Sequence, residues 1–92
     1  MSVFETIIIR IVGEQELIIG PLAWTEAGKI SGLRVQKEIG VVSIQGDPKQ
    51  AIDRLVARYE KLFGQISREV CKQAVASILA DLKPDEIPAS LK

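Results

Sequence analysis

Histidine is absent from this 92-residue chain, and cysteine is present once, as Cys71. Without an imidazole, the Ser-His and Cys-His nucleophile pairs and every histidine-bound zinc site are excluded within one chain, and the commonest general base is missing. A single thiol cannot close an internal disulfide, which points to a reducing, cytoplasmic setting, and Cys71 reads as a small buried hydrophobe. Aromatics are scarce too: Phe4, Trp24, Tyr59 and Phe63 are all there are, so the core must be aliphatic. No apolar run exceeds three residues, as in Ile7-Ile8-Ile9, far short of the roughly 20 a membrane helix needs. Nor does the start read as a secretion signal. Net charge is also lacking. Twelve basic side chains balance twelve acidic ones, so bulk charge gives no reason to expect nucleic acid, a membrane surface or a polyanion as partner.

What is there fits one domain. A chain of this length buries about 60 to 65% of its unfolded surface, a modest margin that oligomerisation would help. The expected layout is mainly β over residues 1–46, helical over 47–83 and irregular over 84–92. Val3 to Val12 is rich in β-branched residues and alternates Ile7, Ile9 and Ile11 against Thr6, Ile8, Arg10 and Val12, the pattern of a central strand. Gly13-Glu14-Gln15 can turn the chain into a short strand at Leu17 to Ile19. Pro21 to Ala27 reads as a short helix closed by a left-handed Gly28. Lys29 to Gln36 and Ile39 to Gln45 read as two more strands joined at Lys37-Glu38, with bulges or bends at Gly32 and Gly40. The sequence thus predicts an α+β fold: an antiparallel sheet of three or four strands, covered by one or two long amphipathic helices.

The second half is punctuated more clearly. Asp47 suits an N-cap and Pro48 the first helical position, with Gln50 completing a weak capping box. Ala51, Ile52, Leu55, Val56, Tyr59, Leu62 and Phe63 form one apolar stripe; Ile66, Val70, Cys71, Ala74, Val75, Ile78, Leu79 and Leu82 form another, ended by Pro84. Gly64 lies between them. A glycine just past a helix end, with Ser67 and Glu69 suited to an opening turn, favours two helices, although Tyr59, Phe63, Ile66 and Val70 keep phase as one bent helix would. The tail Pro84 to Lys92 is expected to be exposed and available for docking. Ile18-Ile19-Gly20-Pro21-Leu22-Ala23 and Leu62-Phe63-Gly64-Gln65-Ile66-Ser67 share an order of residue types; the likeness stops at Ala23 and Ser67, so it reads as shared turn chemistry.

Leu55 to Ala74, with Tyr59, Leu62-Phe63-Gly64, Ile66-Ser67, Val70 and Ala74, resembles the glycine-centred helical module of bacterial roadblock- and kinase-associated signalling proteins. Gln65 stands where that module usually has proline, and Ser67 where it has alanine. The resemblance implies a scaffold or adaptor that works by association, with nothing catalytic to carry over.

Chemistry is otherwise thin. The acidic residues lack calcium-loop spacing, and Gly13, Gly20 and Gly28 are too far apart for a phosphate-cradling loop. No catalytic, cofactor or metal residues are expected, and no enzyme. On an unbroken helix, Arg54, Arg58, Lys61, Arg68 and Lys72 would align as a basic stripe able to follow phosphates, but Asp53, Glu60 and Glu69 lie beside it and make an ordinary solvated face the simpler reading. Trp24, Tyr59, Leu62, Phe63 and Ile66 are the interface candidates, each also able to serve the core. The expected function is a non-catalytic protein–protein interaction module, a homodimeric adaptor or regulatory component; a nucleic-acid-binding regulator and a small-ligand binder between sheet and helices are the alternatives.

Overall fold

The computed structural model describes residues 2–92. Along the chain run α1 (Val3–Ile19), α2 (Leu22–Ala27), β1 (Leu33–Gln36), β2 (Val41–Ile44), α3 (Pro48–Phe63) and α4 (Gln65–Leu79), with short 3-10 turns at Lys37–Ile39, Pro84–Glu86 and Ala89–Leu91. The fold is therefore mostly helical, and the expected sheet of three or four strands in the first half is overturned.

The main correction is α1, which occupies the segment expected as a central strand. Ser2 opens it with a capping box: its hydroxyl accepts from the Glu5 N–H at 3.2 Å, and the Glu5 carboxylate accepts from the Ser2 N–H at 2.8 Å. The helix then buries Ile7, Ile8, Ile11, Val12 and Gln15, a helical rather than an alternating set. Helix propensity costs isoleucine or valine at most about 0.7 kcal/mol relative to alanine. Burying each such side chain returns about 1.5–3 kcal/mol, so packing overrides the β-branched composition. The expected turn at Gly13-Glu14-Gln15 and strand at Leu17 to Ile19 are simply the last turns of α1.

Pro21 serves as N-cap of α2, and Gly28 is right-handed (φ −65°), not left-handed as expected. The only strands among the described residues are β1 and β2, an antiparallel pair in register Leu33 with Ile44 and Gln36 with Val41. The 3-10 turn Lys37–Ile39 and a left-handed Gly40 (φ 62°) connect them. This hairpin sits against α1 at the margin, while the helices pack chiefly on each other, α1 against α4 and α3 against α4.

Helix α3 starts at Asp47, whose Oδ1 accepts from the Lys49 N–H at 2.9 Å, with Pro48 as first residue. It ends at Phe63. Gly64, at φ 92° and ψ 175°, ends the helix, and α4 begins at Gln65. The segment after Pro84, expected to be exposed, is docked instead. Pro88 and Leu91 are buried, Asp53 Oδ1 accepts from the Ser90 N–H at 3.0 Å and from its hydroxyl, and the Arg68 Nε–H reaches the Ser90 carbonyl at 3.2 Å.

Candidate functional site

Two glycine joints meet at one end of the molecule. At the first, between α1 and α2, the Gly20 N–H donates to the Glu16 carbonyl at 2.9 Å and the Gly20 carbonyl accepts from Ala23 at 3.1 Å. At the second, between α3 and α4, Gly64 repeats both bonds with Glu60 and Ser67 at 2.9 and 3.1 Å. The backbone matches too: Gly20 has φ 73° and ψ −158°, Gly64 φ 92° and ψ 175°. These combine positive φ with an extended ψ, a region open essentially to glycine alone.

The likeness spreads well beyond the joints. The separation of Gly20 and Gly64 is an offset of 44 residues. At that offset the buried residues of α1 (Ile7, Ile8, Ile11, Val12, Gln15) correspond one for one to those of α3 (Ala51, Ile52, Leu55, Val56, Tyr59). Buried Ala23 and Ala27 correspond to buried Ser67 and Cys71. The two units also reach across to each other reciprocally. The Gln15 amide Nε2 donates to the Ser67 carbonyl at 3.0 Å, and the equivalent Tyr59 hydroxyl donates to the carbonyl of Ala23, the equivalent of Ser67, at 2.7 Å. Helix α1 thus lies beside the start of α4 and helix α3 beside the start of α2, with both glycines at the same end.

Large apolar side chains are exposed on both sides of each joint. Leu17 (80% exposed), Ile18 (63%), Leu22 and Leu62 (44% each) and Ile66 (73%) belong to the joints. An open groove of about 380 Å³ runs between α1 and α4, lined by Glu14, Ile18, Val70, Gln73 and Ala74.

Two polar clusters brace the joints. Between α2 and α3, Glu26 Oε1 accepts from Arg58 through Nε at 2.8 Å and lies 2.7 Å from Nη2, and Lys29 Nζ lies 3.0 Å from Oε2. Hydrogen bonds from Arg58 first, then from Lys29, hold the Glu26 carboxyl below its ordinary range. Between α1 and α4, Gln15 Nε2 also approaches Cys71 Sγ at 3.4 Å, and its buried Oε1 has no hydrogen-bond partner among the described residues. Burial pushes the Cys71 thiol up to about 11, so at neutral pH it is protonated and a poor nucleophile. Burial likewise raises the Tyr59 phenol.

Of the interface candidates, Trp24 and Tyr59 are core residues, Phe63 is half-buried, and Leu62 and Ile66 are exposed. Leu17, Ile18 and Leu22 belong with the exposed pair but were not among the candidates. The signal for Ile18 and Leu22 was the likeness of Ile18–Ala23 to Leu62–Ser67, which matches them with exposed Leu62 and Ile66; Leu17, matched by Lys61, had no such signal.

The basic stripe required an unbroken helix, and Gly64 divides it. Arg54 donates to the Ser31 carbonyl at 3.3 Å and to Gln50 at 3.4 Å, Arg58 holds Glu26, Arg68 holds Ser90, and Lys72 lies 3.8 Å from Glu69. Lys61 is exposed. Among the described residues no cluster of histidine, cysteine, aspartate and glutamate is placed to hold a metal ion, and no helix is long and apolar enough to cross a membrane. No family model matches the chain, and no curated protein or solved structure matches it either.

Proposed function

We propose that this chain is a non-catalytic protein–protein interaction module, a homodimeric adaptor or regulatory component of the cytoplasm. One observation carries the reading. Leu17, Ile18, Leu22, Leu62 and Ile66, five of the eight exposed large apolar side chains among the described residues, lie within three residues of Gly20 or Gly64. Exposed apolar residues concentrated at one feature of a fold mark an interaction site more often than ones scattered singly. A small core also gains from burying such a surface against a second copy. The resemblance of Leu55–Ala74 to a helical module of signalling proteins points the same way.

Sedimentation velocity at micromolar concentration tests the idea. A dimer is expected, and Ile66→Asp, at a position 73% exposed, should dissociate it while helical circular dichroism stays intact. A monomer across the accessible concentration range would overturn the homodimer.

A further inference from the structure

The two joints are alike in backbone and core but not in what lies between their helices. At the offset of 44 residues, Arg58, Glu26 and Lys29 of the α2/α3 side correspond to Glu14, Val70 and Gln73 of the α1/α4 side. On the first side the three residues close as ion pairs. On the second the same positions carry a carboxylate, an aliphatic side chain and a neutral amide, and an open groove remains, walled also by Ile18 and Ala74. Among the described residues no cation pairs with Glu14; Arg10, one turn earlier on α1, lies beyond ion-pair distance. What would complete the groove is a cation for Glu14 and an aliphatic group against Ile18 and Val70.

We infer that a second copy of this chain supplies both, seating its Lys61 and Leu62 in the groove. The inference rests on the homodimer reading above and specifies its register. Lys61 and Leu62 are adjacent and both exposed in the last turn of α3, just before the joint at Gly64, as Ile18 of the groove stands just before the joint at Gly20. Charge favours the match: exposed Glu14 lines the groove, and exposed Lys61 stands beside Leu62. A two-fold axis at this end would form the contact twice, Lys61 of each protomer reaching the other's Glu14.

Charge reversal tests the register. Each lost pair occurs twice in the dimer, so Glu14→Lys or Lys61→Glu alone should raise the dimer Kd about tenfold or more, and the double variant should return it to within about threefold of the unaltered protein. Circular dichroism and thermal melts check that both exposed positions leave the fold intact; should a reversal not fold, Glu14→Gln and Lys61→Gln should each weaken the dimer by a smaller factor. A dimer that forms but ignores Glu14 and Lys61, or in which the two reversals add, overturns the groove contact while leaving the homodimer standing. A monomeric unaltered protein overturns the homodimer and the groove contact together.

Discussion

Helix α1 with its joint at Gly20 and helix α3 with its joint at Gly64 bury the same positions and turn through the same backbone, yet the spaces beside them are finished differently. Between α2 and α3, Glu26 draws Arg58 and Lys29 together. Between α1 and α4, Glu14 shares an open groove with Ile18, Val70, Gln73 and Ala74. The difference separates what the repeated unit requires to fold from what one of its copies leaves for other use. Glycine at the joint, five buried positions on the long helix and one side chain reaching the opposite carbonyl belong to both copies. Among the described residues, ion pairing from one helix to another belongs to the α2/α3 side alone.

The strongest test of the equivalence is at the glycines. An added β-carbon at either position meets nothing within 4 Å, so substitution reports backbone strain alone. Gly20→Ala and Gly64→Ala should each cost about 1–3 kcal/mol, because alanine does not readily adopt positive φ with extended ψ. Urea denaturation measures both, and costs that differ severalfold would break the comparison.

A smaller effect distinguishes the two reaching side chains. The Tyr59 hydroxyl has a single short bond to the Ala23 carbonyl, so Tyr59→Phe should cost about 1 kcal/mol. Gln15 is in a less favourable position, since its Oε1 is buried without a partner while Nε2 bonds Ser67. Gln15→Leu loses the bonds of Nε2 but also removes that stranded acceptor, so the net change should fall within about 1 kcal/mol of zero, of either sign. A loss of several kcal/mol would mean that Oε1 is satisfied in solution, for instance by a trapped water.

Sequence disclosed the second unit and concealed the first, although the two are built alike. Asp47-Pro48 is an unambiguous helix start and Ala51 to Phe63 a clean stripe. Ser2-Val3-Phe4-Glu5 is an equally valid capping box, but the run of isoleucines behind it satisfies strand alternation as well as a helical stripe. Only burial of Ile8 and Val12 together with Ile7 and Ile11 decides between them, and that depends on tertiary packing. The same ambiguity hid the repeat. Comparing Ile18–Ala23 with Leu62–Ser67 found the joints, but the correspondence upstream pairs Ile11 with Leu55 and Gln15 with Tyr59, equal in burial and unequal in kind. The interface candidates suffered for a related reason: Trp24 and Tyr59 are the aromatics a partner would favour, and the core of a chain with so few aromatics takes them first.

The ion pairs that distinguish the finished side yield the smallest expected effect, and pH gives it a sign. Because Arg58 and Lys29 hold the Glu26 carboxyl below its ordinary value of 4.5, the folded protein binds that proton less readily than the unfolded chain does. Its contribution to stability is therefore complete above the unfolded value and is lost as pH falls below it, through the lower folded value. Partial exposure of both cations, 56% for the Lys29 side chain and 35% for that of Arg58, keeps the contribution modest. Urea midpoints followed from neutral pH into acid should show Glu26→Gln less stable than the unaltered protein at neutrality and converging with it at the acid end. Curves that stay parallel throughout would show that the cluster fills the space between α2 and α3 without tying it by charge, and the contrast with the open groove would then be one of shape alone.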